Sequence, residues 1–306
     1  MSDSPSSSEG SAAAATKYIF KAKTKDSFVI KVLSELLSNS NIKWAPFCID
    51  SEGISLKQTD GNKHLLISFK LHRENFTLGY RCARPLNFLI SSNTLCKLLK
   101  STRKREIITL FITEKEDDKL GICVETSDEN NKTIDSVRIT YHQPVDYKEP
   151  EGYPSPTIVT NKEFQKMKNL HNISKVMTVT SPQPGLVLFF CDGQEVYDRK
   201  VQLGIADTDE DTRDPDYEPY HQTFNTTYIT GLTKCANQSP KVAIYIEKKL
   251  PLKIKMHAGS LGELSVYIKS KERIAMEQKV LAEAEAQNNP DATVVATSTS
   301  SVGTSY

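Results

Sequence analysis

From residue 17 onward the chain alternates apolar and polar positions in short runs, and helical spacing appears in only a few places. "KYIFKAK" (17–23) has the two-residue period of a half-buried strand, and "DSFVIKVLSELLSNS" (26–40) then switches to an apolar stripe at three- and four-residue spacing. Asp26 stands where an N-cap is expected. The strands "KWAPFCID", "GISLKQ", "HLLISFKL" and "FTLGYR" follow, divided by short turns such as "SEG" and "DGNK". A second amphipathic stretch begins near Ser91, with Leu95, Leu98 and Leu99 on one side. "EIITLFITE", "KLGICVE" and "DSVRITYH" complete this half as strands. "QPVDYKEPEGYPSP" has four prolines and a glycine, too punctuated for an element, and reads as a linker.

The order then restarts. "PTIVT" leads into a helix, "NKEFQKMKNLHN", followed by the strands "KVMTVTS", "GLVLFF", "EVYDRKVQLGIA" and "YHQTFN". Another helix, "TTYITGLTKCAN", precedes "KVAIYIE", "LPLKIKMH" and "GELSVYIK". Helices begin near Asp26, Ser91, Asn161 and Thr226, so each half reads strand, helix, four strands, helix, three strands. The predicted fold class is α+β: two similar domains, each with two helices on one face of antiparallel sheets. The predicted boundaries are a Ser/Ala-rich, disordered tail at 1–16, a first domain at 17–143 and a connecting loop at 144–157. A second domain spans 158–270, and a helix with a polar tail fills 271–306.

A chain of 306 residues has room for two domains with real cores. Net charge is +1, with 39 Lys and Arg against 38 Asp and Glu, so an electrostatic role must come from where charges sit. The six cysteines are scattered without a C-x-x-C pair, which suits reduced, mostly buried side chains of an intracellular protein. The sequons at Asn75, Asn131, Asn172, Asn225 and Asn237 then carry no meaning. The N-terminus lacks the basic start and apolar core of a signal peptide. The longest apolar run, "GLVLFF", falls far short of the ~20 residues of a membrane span, so a soluble protein is expected.

Enzyme signatures are absent: no G-x-S-x-G, H-E-x-x-H, P-loop or G-x-G-x-x-G occurs. The six histidines are dispersed, and no catalytic residue, metal or cofactor is expected. One stretch imitates a calcium loop. "DTDEDTRDPDYE" (207–218) puts Asp207, Asp209, Asp211 and Glu218 at ligand positions, but Thr212 replaces the required glycine and Pro215 lies inside. An acidic surface loop is the better reading, with a metal protein or enzyme centred there as the remote alternative.

The predicted helices are biased towards one charge sign, and the fourth has no acid at all. They carry Lys25 and Lys31; Lys97 and Lys100 with Arg103 to Arg105 behind; Lys162, Lys166 and Lys168; and Lys234. For one helix, solubilising lysines would suffice. Four equivalent helices biased to one sign in a near-neutral chain favour one basic surface, of the kind that binds phosphate backbones.

With "LCKLLK" before "EIITLFI", "GISLKQTD", "NFTLGYRC", "NKEF" after the linker and "LPLKIKMHAGSLGELSVYIKSK" closing the body, residues 18–270 resemble the PCNA family of DNA sliding clamps. The resemblance implies a homotrimeric ring with helices lining the hole and sheets outside. Such a ring would encircle duplex DNA without sequence specificity and tether DNA polymerase and other replication and repair proteins through short peptide motifs. A clamp loader is among the partners it allows, and the nucleus, or a cytoplasmic replication site for a viral protein, is the implied location. By position, Lys31, Lys97, Lys100, Lys166, Lys168 and Lys234 would face DNA. Thr59, Tyr147, Tyr153, Pro251 and Tyr267 would surround the peptide pocket, and edge strands in 134–142 and 197–205 would close the ring. The chain departs from the pattern in its near-neutral charge, in Asp146 and Lys148 where apolar linker residues are usual, in the small Thr59, and in Ser270 for a proline. These departures fit a divergent clamp of a large DNA virus. The alternative is a non-encircling monomeric or dimeric processivity factor of the same fold.

Overall fold

The computed structural model describes residues 17–126, 131–145, 147–194, 197–205 and 217–288. They form two compact units. The first gathers residues up to Gln58, Ser68–Tyr147 and the hairpin Ala258–Glu263; the second gathers Thr59–Ile67, Lys148–His257 and the chain from Leu264.

The first half of the chain contains β1 (Tyr18–Thr24), α1 (Ser27–Asn39), β2 (Trp44–Ile49), β3 (Gly53–Thr59), β4 (Leu65–His72), β5 (Tyr80–Cys82) and β6 (Leu86–Ser91). It continues through α2 (Ser92–Leu99), β7 (Ile107–Thr113), β8 (Lys119–Glu125), β9 (Lys132–Arg138) and β10 (Thr140–Tyr141). One antiparallel sheet of the first unit runs β5-β1-β7-β8-β9, and a second series runs β10-β6-β2-β3-β4. Phe20, Phe88, Ile90 and Leu99 are fully buried between these layers and the helices. Burying each such side chain contributes roughly 1.5–3 kcal/mol. At Gly53 a side chain is impossible: φ is +149°, and a Cβ would lie 2.0 Å from the Leu71 carbonyl oxygen.

The second half contains β11 (Thr157–Thr160), α3 (Asn161–Phe164), β12 (Val176–Gln183), β13 (Leu186–Cys191), β14 (Arg199–Gly204), β15 (Tyr220–Asn225), α4 (Thr226–Thr230) and α5 (Thr233–Ala236). Then come β16 (Lys241–Tyr245), β17 (Leu252–Ala258), β18 (Gly262–Ile268) and α6 (Lys271–Asn288). Here a four-stranded sheet runs β14-β13-β12-β15, and a second series runs β18-β17-β16-β11. Phe164, Phe189, Phe224 and Ile268 are fully buried in its core.

Five expectations need correction. Asp26 does not cap α1 with its side chain: its backbone carbonyl accepts from Val29 N–H at 3.0 Å, while the carboxylate accepts from the Ser260 hydroxyl. "FTLGYR" supplies only β5, because a 3₁₀ turn at Arg73–Asn75 and Gly79 at φ +123° bend the chain first. β6 is an extra strand, whose Leu86, Phe88 and Ile90 alternate inward. The third helix is one turn of α-helix and a 3₁₀ turn; Asn169 at φ 73° then reverses the chain, so "NKEFQKMKNLHN" cannot run straight. The fourth is two short helices around Gly231.

Candidate nucleic-acid interface and partner pocket

In the first unit the Ser91 hydroxyl starts α2, accepting from Thr94 N–H at 3.3 Å. Leu95 and Leu99 turn into the core, which leaves Lys97 and Lys100 exposed. No acid lies in α2. Lys31 reaches over from α1, and its ammonium donates to the carbonyls of Lys100 at 2.6 Å and Thr102 at 3.0 Å. It therefore completes the C-terminal end of α2, where unpaired carbonyls and the helix dipole favour a cation. This is a positioning task that the sequence did not reveal. The Phe28 ring lies beneath two ammoniums, Lys31 at 5.6 Å and Lys104 at 5.2 Å from its centroid.

The second unit builds its basic positions on shorter pieces. A capping box starts α3: Thr160 Oγ1 accepts from Glu163 N–H, and the Glu163 carboxylate accepts from Thr160 N–H at 2.7 Å. These bonds hold Glu163 below the usual carboxylate range. Phe164, Met167 and Leu170 face the core, so Lys162, Lys166 and Lys168 remain exposed. Lys234 on α5 is exposed as well, while Ile229, Leu232 and Cys235 are buried. Gln165 Nε2 donates to Thr233 O at 2.6 Å and ties the two basic segments together.

Tyr153, Pro251 and Tyr267 converge within the second unit. The Tyr153 hydroxyl donates to Pro251 O at 2.8 Å, and its ring centroid lies 6.4 Å from that of Tyr267. Tyr267 is 2% exposed, and its hydroxyl donates to Glu149 Oε2 at 2.5 Å. Burial drives both phenols well above their ordinary pKa. Three members were not foreseen: Glu149, Tyr245 and Lys253. The Lys253 ammonium lies 5.4, 5.0 and 5.2 Å from the ring centroids of Tyr153, Tyr245 and Tyr267. Tyr245 faces Lys253 in the β16–β17 register, so only strand pairing could have disclosed the group. Thr59, at the end of β3, and Tyr147, in the first unit, are half-buried.

The segments expected to close the ring fall on strands at the ends of their sheets: β9 lies beside β8 and β14 beside β13. The expected edge 134–142 breaks at Ile139, and its last part pairs with β6 as β10. Exposed apolar residues mark both edges: Ile134 on β9, and Tyr197 and Ile205 flanking β14. The acidic stretch 207–216 lies outside the described residues, and Glu218 forms an ion pair with Lys248. Among the described residues no helix is long and apolar enough to cross a membrane, and no group of three or more His, Cys, Asp or Glu could hold a metal ion.

Comparison with known proteins gives a consistent result. Residues 19–143 match the family model for the N-terminal domain of proliferating cell nuclear antigen, and 149–271 match that for its C-terminal domain. The chain is 25% identical over 249 residues to a proliferating cell nuclear antigen of Chaetomium thermophilum, covering 79% of this chain and 93% of the relative. It is 24% identical over 250 residues to that of Dictyostelium discoideum, covering 79% and 94%. It is 25% identical over 255 residues to a probable DNA polymerase sliding clamp of Autographa californica nuclear polyhedrosis virus, covering 83% and 96%.

Proposed function

The chain belongs to the proliferating cell nuclear antigen family and is a DNA sliding clamp and polymerase processivity factor, and from that premise we propose how it holds DNA and its partners. Copies close head to tail into a homotrimeric ring around duplex DNA. Lys97, Lys100, Lys166, Lys168 and Lys234 lie against the phosphates, and Lys31 keeps the end of α2 in place for them. The observation that carries this reading is the repeat of exposed lysines on core-anchored helical segments in both units. Lysine on a rigid support screens phosphate charge without reading base edges, which suits movement along any sequence.

Such contacts alone give dissociation constants of only ~10⁻⁴–10⁻⁶ M at physiological salt. Topology supplies what the contacts lack, because a closed ring leaves DNA only at an end or by opening. Ring closure uses β9 of one copy and β14 of the next, adding a strand across two open edges. Polymerase and other replication and repair proteins dock short peptides beside half-buried Tyr153, which the buried Pro251 and Tyr267 hold in place from within, at the site of DNA replication.

Retention after a salt wash on closed circular and linear duplexes tests the ring. The expected outcome is retention on the circle and loss from the linear DNA through its ends. Equal loss from both would overturn encirclement and favour a factor that grips DNA from one side.

A further inference from the structure

The four-stranded sheet of the second unit has two outer strands, β14 and β15. If both could pair with other chains, head-to-tail addition at β14 would compete with unwanted pairing at β15. β15 is hydrogen-bonded to β12 on one side only, and its free side meets α6. There the Glu272 carboxylate takes the place of a neighbouring strand. It accepts from Thr223 N–H at 3.0 and 3.1 Å through its two oxygens, and from Thr223 Oγ1 at 2.6 Å.

The first unit closes the equivalent edge by other means. Counting back from the helix caps Ser91 and Asn225, Leu89 on β6 and Thr223 on β15 occupy the same place. In the first unit Leu89 pairs with Thr140 of β10, the segment just after that half's last long strand. In the second unit Thr223 is met by α6, again the segment just after the last strand. Two different structures thus close the same edge at the same position.

α6 is built to stay there. Ser270 stands where the family resemblance expects a proline, and its hydroxyl accepts from Arg273 N–H at 3.2 Å, starting the helix. Arg273 also donates to Lys249 O, while Glu277 ion-pairs with both Lys269 and Arg273. Glu272 thereby faces β15 within a fixed first turn.

We propose that α6 is an edge guard, which covers β15 so that a neighbouring copy can add a strand to this sheet only at β14. The inference deepens the ring reading and rests on it for its purpose, although the guarding itself does not require a ring. The test uses full-length Glu272→Ala/Arg273→Ala protein, with light scattering between about 1 and 100 µM and amide exchange at Thr223. The expected result is faster Thr223 exchange and a mass that climbs about twofold or more above that of the parent chain as concentration rises. Adding Thr223→Pro, which removes the outward donor, should return the parent's mass. If that variant fails to fold, Thr223→Lys places a charge on the same edge instead. The guard is overturned if Thr223 stays protected in the double variant. It is equally overturned if Thr223 opens while the mass stays at the parent's, or if growth persists in the edge-blocked variant. The parent's own mass decides the ring separately: a monomer at every concentration sinks the ring and leaves the guard to be judged by the variants.

Discussion

Lys31, Lys97 and Lys100 lie on neighbouring helices, yet their ammoniums do different things. Lys31 is committed to the carbonyls of Lys100 and Thr102, whereas Lys97 and Lys100 extend into solvent. Replacing Lys31 by Met should remove two charge-assisted hydrogen bonds and cost about 1 kcal/mol of stability. The effect on DNA should be secondary, through a looser end of α2. Reversing Lys97 and Lys100 to Glu should leave the urea midpoint nearly unchanged while weakening DNA retention and reducing its salt dependence by about one or two ions per subunit. Paired urea titrations and salt-dependent retention separate the two roles, and a Lys31→Met protein with wild-type stability would refute the positioning assignment. In the sequence all three were simply lysines on amphipathic helices. Charge sign and periodicity could be read along one segment, but the carbonyls that capture Lys31 belong to another helix, whose end is defined only by tertiary packing.

Elements show the same division between local and non-local information. β8 and β15 coincide with "KLGICVE" and "YHQTFN": β8 holds a continuous buried run from Leu120 to Cys123, and β15 buries Tyr220 and Phe224 with more exposed residues between them. β6 was legible in principle, since Leu86, Phe88 and Ile90 alternate, but Pro85 and Asn87 weaken the strand signal. The break after α3 depends on Asn169 adopting a left-handed conformation, an option that Asn tolerates without announcing. For the candidate site, the lysines and three pocket residues could be named from the sequence and the family resemblance, whereas Lys253 among its tyrosines emerges from cross-strand register. Partial burial pushes the Glu272 carboxyl up, but hydrogen bonds from the Thr223 hydroxyl and from backbone amides outweigh it and hold the pKa below the ordinary 4.5. A carboxylate with a depressed folded-state pKa contributes stability that is fully present above the unfolded value and is lost as pH falls through the folded one. The docking of α6 on β15 should therefore hold at neutral pH and loosen below about pH 4.5, read as faster exchange at Thr223 after correction for intrinsic rates. Glu272→Gln should remove most of that pH dependence; an unchanged profile in the variant would place the acid-sensitive contact elsewhere.

For the whole molecule, the decisive question is what covers the outer sides of β9 and β14. Ile134 on β9 is 61% exposed and Ile205, just past β14, is 86% exposed, and each of these strands has one sheet neighbour among the described residues. A scattered exposed apolar side chain needs no explanation, but apolar residues at both edges are what strand addition between copies would bury. Ile134→Glu distinguishes the two situations. In an isolated subunit the position is already in water, so the substitution should change thermal stability very little. In a closed ring the carboxylate would have to be desolvated against the added strand, which weakens each interface by about 1–3 kcal/mol, or roughly tenfold to a hundredfold in association. A ring repeats that interface, so losses multiply around it and retention on closed circular DNA should fall further than any single contact implies. Light scattering should then show dissociation at concentrations where the parent remains assembled, with an unaltered melting profile for the dissociated subunit. If Ile134→Glu kept both its mass and its hold on circular DNA, β9 would not be the closing edge, and assembly would have to be sought at a different surface.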